Sequence, residues 1–188
     1  MCGAAWKFHY LDKVPVPTSP ALVFGSAIHN TVEQFIGNDH QGDITAHWAE
    51  HWAAAIKDQQ VDWGMDTPEF HQNEGTRILG NADVQKGILS IKAGKDDQGP
   101  TIERRVELAV PGVPIPIVGY IDIITTDGVP GDFKTSSKSW SGDKAESELQ
   151  PLFYLAALNQ AGHTVKDWRF RHFVMVKTKT PQFQVLEH

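Results

Sequence analysis

The chain is poor in cysteine, in long apolar runs and in positive charge. Cys2 is the only cysteine in 188 residues. One thiol excludes a disulfide framework and an iron–sulfur cluster with four cysteine ligands, and it fits a reducing, cytoplasmic setting. No window approaches the roughly 20 apolar residues of a membrane span, and no secretory signal opens the sequence. Lys and Arg number 17 against 23 Asp and Glu, for a net charge of −6. That balance argues against a nucleic-acid partner, which usually asks for a basic footprint. Two features soften the objection. Carboxylates gathered around a metal are neutralised when it binds, and the basic residues cluster late, at Lys134, Lys138, Lys144, Lys166, Arg169, Arg171, Lys177 and Lys179. Repeats and low-complexity segments are absent. What is there, 40% hydrophobic and 21% charged residues, describes one globular domain with a real core.

Hydrophobic spacing predicts helices over Ala21–Ile36, after the Thr18-Ser19-Pro20 start, and over Thr45–Gln59. A third helix opens at Thr67-Pro68-Glu69 and runs towards Ile91. Ala93–Gly99 reads as a loop. The period then changes to two, with strands at Thr101–Val110, Ile115–Thr125 and Gly131–Thr135. A loop at Ser139–Asp143, a helix at Glu146–Ala161 and a strand at Asp167–Thr178 follow. Leu186-Glu187-His188 reads as the start of a vector-encoded histidine tag and is set outside the fold, leaving one domain over residues 1–185. At the other end Trp6–Tyr10 is already aromatic and basic with no lead-in, as in an excised domain or a truncated reading frame.

The densest chemistry lies between Gly119 and Tyr154. Asp122 stands in an apolar run beside Ile121, Ile123 and Ile124, where a bare carboxylate is costly unless positive charge meets it. Asp132 follows ten residues on, and strand alternation returns Lys134 to its face. Two carboxylates and an ammonium converging at a sheet edge suit a divalent cation and a water to be deprotonated, as in phosphate-ester hydrolysis. The face depends on the turn. A two-residue turn at Asp127-Gly128 puts Asp122 opposite Phe133 and destroys the site. A three- or five-residue loop, or a bulge, puts Asp122 opposite Lys134 and Ile124 opposite Asp132.

These residues resemble the PD-(D/E)XK nuclease superfamily and, within it, the RecB-type exonuclease family. Four motifs carry the resemblance in order: Gly25-x-x-x-His29, Gly119-x-x-Asp122, Asp132-x-Lys134 and Gln150-x-x-x-Tyr154. The resemblance implies a restriction-endonuclease-like α/β core over residues 100–178, a three-stranded antiparallel meander plus a further strand, flanked by helices. The helices of residues 21–92 precede it. It also implies a Mg²⁺- or Mn²⁺-dependent deoxyribonuclease without an iron–sulfur cluster, acting in repair, recombination or phage DNA processing beside a helicase or recombination protein. His29, Asp122, Asp132 and the carbonyl of Phe133 hold the metal in this reading. Lys134 polarises the attacking water, and Gln150 and Tyr154 position water or the substrate strand.

Several residues carry rival readings. Glu33 continues the His29 face as an outer ligand or as plain surface. Ser136, Ser137 and Lys138 form a phosphate grip or a solvated loop. Trp48, Trp52 and Trp63 stack bases or fill the core. Pro151, directly after Gln150, shortens or bends the late helix. For the whole chain two other classes stay open: a nuclease-like module that only binds DNA or protein, and a zinc-binding domain built on scattered histidines.

Overall fold

The structure, a computed structural model, describes residues 2–57 and 59–188. A short helix α1 (Gly3–Trp6) leads through a π-helical turn, Lys7–Leu11, to α2 (Pro20–Gly37). The Ser19 hydroxyl caps α2 by accepting the Leu22 N–H, and Pro20 opens it where a missing N–H costs nothing. Helix α3 (Ile44–Lys57) crosses it and buries Trp48 and Trp52. Trp48 Nε1 donates to the Gln72 carbonyl at 2.9 Å, so these tryptophans belong to the core rather than to a base-stacking surface. The single helix expected from Thr67 towards Ile91 is two, α4 (Pro68–Leu79) and α5 (Ala82–Ser90). Asn81 separates them because its side chain accepts the Asp83 and Val84 N–H groups and starts a new helix.

The segment read as a loop at 93–99 contains β1 (Lys95–Asp96), which pairs with β2 (Gly99–Pro100). The main sheet holds β3 (Ile102–Leu108), β4 (Ile117–Ile124), β5 (Pro130–Ser136), β6 (Arg171–Val176) and β7 (Gln182–Glu187), in that order. Only β5 and β6 are parallel; the remaining neighbours are antiparallel. Between β5 and β6 come α6 (Gly142–Glu146) and α7 (Gln150–Gln160), in place of one helix from Glu146. Pro151 sits in the first turn of α7, so it starts the helix without bending it.

Setting residues 186–188 outside the fold is corrected by β7. Leu186 and Glu187 pair with His172 and Arg171, and His188 exchanges backbone hydrogen bonds with Phe170. Arg171 also ties the Glu187 carboxylate, at 2.9 Å, to Asp127 of the β4–β5 turn, at 2.6 Å. Three residues give too short a window to show strand periodicity, so only pairing with β6 reveals their place.

Two apolar clusters flank the sheet. Helices α2 to α5 pack with Ile123, Phe133, Phe173 and Met175, whereas α7 packs with Val106, Ile121 and Phe170. Ile121 and Ile123 stand two apart yet serve different clusters, so β4 crosses between layers at Asp122. Both ladders break there. Pairing with β3 passes from Ile102–Ile123 to Arg104–Ile121 over Glu103, whose φ of 51° is rare for a residue with a side chain. Among the described residues, pairing with β5 reaches Ile123–Gly131 and goes no further.

Candidate active site

The β4–β5 turn has the odd length the site requires. Thr125 N–H donates to the Val129 carbonyl at 3.0 Å, closing a loop whose last residue, Gly128, takes φ 81°. The register nevertheless differs from the expected one by two residues. Ile124 lies opposite Pro130 instead of Asp132, which puts Asp122 level with Asp132 instead of Lys134. The reason is that the loop closes at Thr125, whose hydroxyl also bonds the Val129 carbonyl at 2.7 Å. Beyond Gly131 the strands splay, and the Asp122 carboxylate replaces the missing ladder bond by accepting the Phe133 N–H at 2.7 Å.

Helix α2 brings His29 to the same point, its Nδ1 3.5 Å from Asp122 Oδ2. Glu33, one turn further along, completes a group: His29, Glu33 and Asp122 each offer a ligand atom, all within 4.8 Å of one another. Gly25 is not needed to let the helix approach, because a Cβ there would meet Thr135 Oγ1 at an ordinary 3.9 Å. Asp132 is buried beside Lys134, whose Nζ lies 2.6 Å from Asp132 Oδ2. At that distance the ammonium and the carboxylate form a charge-assisted contact, which lowers the Asp132 carboxyl against the effect of burial. Lys134 does donate to Gln150 Oε1, at 2.9 Å. Gln150 Nε2 in turn donates to the Tyr154 hydroxyl at 3.1 Å, and Tyr154 donates to the Tyr120 carbonyl at 2.5 Å. Gln150 and Tyr154 thus hold the lysine rather than facing solvent.

The electrostatics of this corner are those of crowded acids. Burial pushes the carboxyls of Asp122 and Asp132 up from the usual range; Lys134 pulls both back, and the Phe133 N–H helps at Asp122. Glu33 is raised to about 8, first by burial and then by Asp122, Glu103 and Asp132. His29 is lowered by burial, which keeps the neutral ring that can serve as a ligand. Repelling carboxylates and a neutral imidazole, each offering a ligand atom at one point, fit a divalent cation. Among the described residues this group holds one histidine, His29.

His29 and Asp122 come together as the motifs imply, and Asp132 and Lys134 lie beside them. Phe133 gives its N–H to Asp122, and its backbone also meets the His29 ring, a contact that raises the histidine's pKa against the larger effect of burial. Glu33, read from its i+4 spacing to His29 as an outer ligand or plain surface, stands within the group itself. Glu103 carried no signal, because its role follows from an unusual backbone angle. Ser136 Oγ bonds the Lys138 backbone and closes its own loop.

Known proteins bear on the fold and the family. The crystal structure of a “Putative exonuclease” from Eubacterium rectale superimposes with a TM-score of 0.60 at 11% identity, over 94% of this chain and 62% of that one. At that identity the likeness speaks for the fold, and the chain spans less than two thirds of that neighbour. No curated protein matches the sequence significantly. A family model of the PD-(D/E)XK nuclease superfamily matches residues 1–185, and with it the chain belongs to that superfamily of phosphodiester-hydrolysing nucleases.

Proposed function

We propose that the protein is a divalent-cation-dependent deoxyribonuclease of RecB type, an exonuclease that hydrolyses DNA phosphodiesters. The observation that carries the reading is Lys134, fixed between Asp132 and Gln150 beside the His29–Glu33–Asp122 group. His29, Glu33 and Asp122 would hold a Mg²⁺ or Mn²⁺ ion, with Asp132 at its edge. Such an ion, when bound, lowers the pKa of water and offsets phosphate charge. Lys134 orients the attacking water and offsets charge on the phosphoryl oxygens. Asp132 and Gln150 aim the ammonium, and Tyr154 aims Gln150. Water adds to phosphorus and gives a proton to solvent, the P–O ester bond breaks, and the leaving oxygen takes a proton from solvent. The order of the four motifs supports a place in repair, recombination or phage DNA processing beside a helicase or recombination protein, and the single cysteine fits a reducing cytoplasm. Among the described residues no helix is long and apolar enough to cross a membrane.

The test is cleavage of end-labelled linear and closed circular DNA with Mg²⁺, Mn²⁺ or EDTA. Shortening from the ends of linear DNA, lost in EDTA and in Asp122→Asn, is expected. DNA binding without cleavage would overturn the enzyme reading in favour of a nuclease-like binding module. Cleavage of circles would overturn the exonuclease part.

A further inference from the structure

We propose that Tyr120 and Arg105 form a subsite for the nucleotide next to the scissile phosphate, a reading that rests on the nuclease function above. Tyr120 stacks on the base and Arg105 meets the phosphate.

Gly119 and Ile121 face α7: a Cβ on Gly119 would strike Phe153, and Ile121 packs with Tyr154 and Leu155. Strand alternation therefore turns Tyr120 to the opposite side of β4, the side from which α2 brings His29 and Glu33. There Tyr120 is 52% exposed, a large aromatic residue left to water on the strand that carries Asp122. Two residues of strand separate Tyr120 from Asp122, about 6–7 Å. That is about one nucleotide step of an extended chain.

The backbone under Tyr120 is held still. Its carbonyl accepts the Tyr154 hydroxyl at 2.5 Å. The same Tyr154 reaches Lys134 through Gln150, so one hydrogen-bonded chain ties the backbone that carries the ring to the reacting lysine. A ring on a rigid strand loses little entropy when a base stacks on it, and any base offers a π-face. Arg105 lies directly across the ladder from Tyr120, half-exposed and bonded to Glu107. An arginine freed from a surface carboxylate gains a stronger partner in a phosphate.

The experiment measures binding and cleavage of a fluorescent single-stranded oligonucleotide, by anisotropy in Ca²⁺ and by kinetics in Mn²⁺. Tyr120→Ala should raise Kd and KM on the order of 10-fold or more, with little change in kcat, because stacking holds ground and transition states alike. Tyr120→Phe should stay near the parent, and Arg105→Ala should weaken binding and flatten its salt dependence. An abasic residue next to the cleaved bond should reduce the parent protein to the Tyr120→Ala level without further loss in that variant. The abasic arm needs no substitution, so a folding defect cannot mask the answer. Parent-like Kd and KM in Tyr120→Ala, or indifference of the parent protein to the abasic residue, overturns the subsite alone. A parent protein that neither binds nor cleaves the oligonucleotide overturns the nuclease reading and the subsite with it.

Discussion

Gln150 Oε1 accepts the Lys134 ammonium at 2.9 Å and so reaches from the first residue of α7 to the middle of β5. Together with Asp132 at 2.6 Å, it fixes the direction in which the ammonium points. Lys134→Ala should keep metal and DNA binding and lose about 10²–10⁴-fold in kcat. Gln150→Ala should lose kcat by up to about 10²-fold with KM nearly unchanged, because the lysine is present but misaimed. Parent-like single-turnover rates in Lys134→Ala would remove the lysine from the mechanism.

Glu33, with its pKa near 8, is mostly protonated at pH 7 in the metal-free protein. Binding Mg²⁺ or Mn²⁺ should expel that proton. Calorimetry at pH 7 in buffers of different ionisation enthalpy should show close to one proton released per ion. The release should fade above pH 9 and vanish in Glu33→Gln. Because the folded pKa lies above the unfolded value, metal-free stability should fall as pH rises from about 4.5 through 8. The divalent ion should restore it. Buffer-independent heats at pH 7 would place Glu33 outside the ligand set.

His172 is fully buried between Trp140 and Phe170, with neither ring nitrogen hydrogen-bonded. Burial first, and then Lys134, lower its pKa to about 4. The folded state therefore resists protonation that the unfolded chain accepts, and stability should be lost as pH falls from about 6.5 to 4. The loss should total roughly 2–3 kcal/mol. His172→Phe should flatten this acid limb in denaturant melts, and an unchanged limb would assign it to other groups.

Two motif glycines should respond oppositely to Ala. A Cβ at Gly119 would lie 2.5 Å from Phe153 and 3.0 Å from Tyr154, so Gly119→Ala should push α7 off β4. It should cost about 1–3 kcal/mol and reduce kcat through Gln150. At Gly25 the nearest atom is 3.9 Å away, so Gly25→Ala should stabilise α2 by about 0.5–1 kcal/mol and spare activity. Equal thermal shifts in the two variants would refute the close packing of α7 on Gly119.

Residue types and their spacing, by themselves, determined the elements whose information is local. The amphipathic period of α2, the change to alternation at Thr101 and the strand–turn–strand around Asp127-Gly128 all lie within short windows, whereas the length of that turn and its register stay open at that range. Tertiary structure decided whatever depends on partners distant in sequence. Strand β7 exists because β6 offers it an edge, and Arg171 bridges Asp127 and Glu187 across 60 residues of sequence. The crossing of β4 at Asp122 needs Glu103 on a neighbouring strand in a left-handed conformation. Gln150 and Tyr154 look alike as bystanders or as substrate contacts until α7 docks over Gly119, and docking makes them the support of Lys134. Spacing along the chain records which side chains share a face; which faces meet is set by packing free energy summed over the whole core.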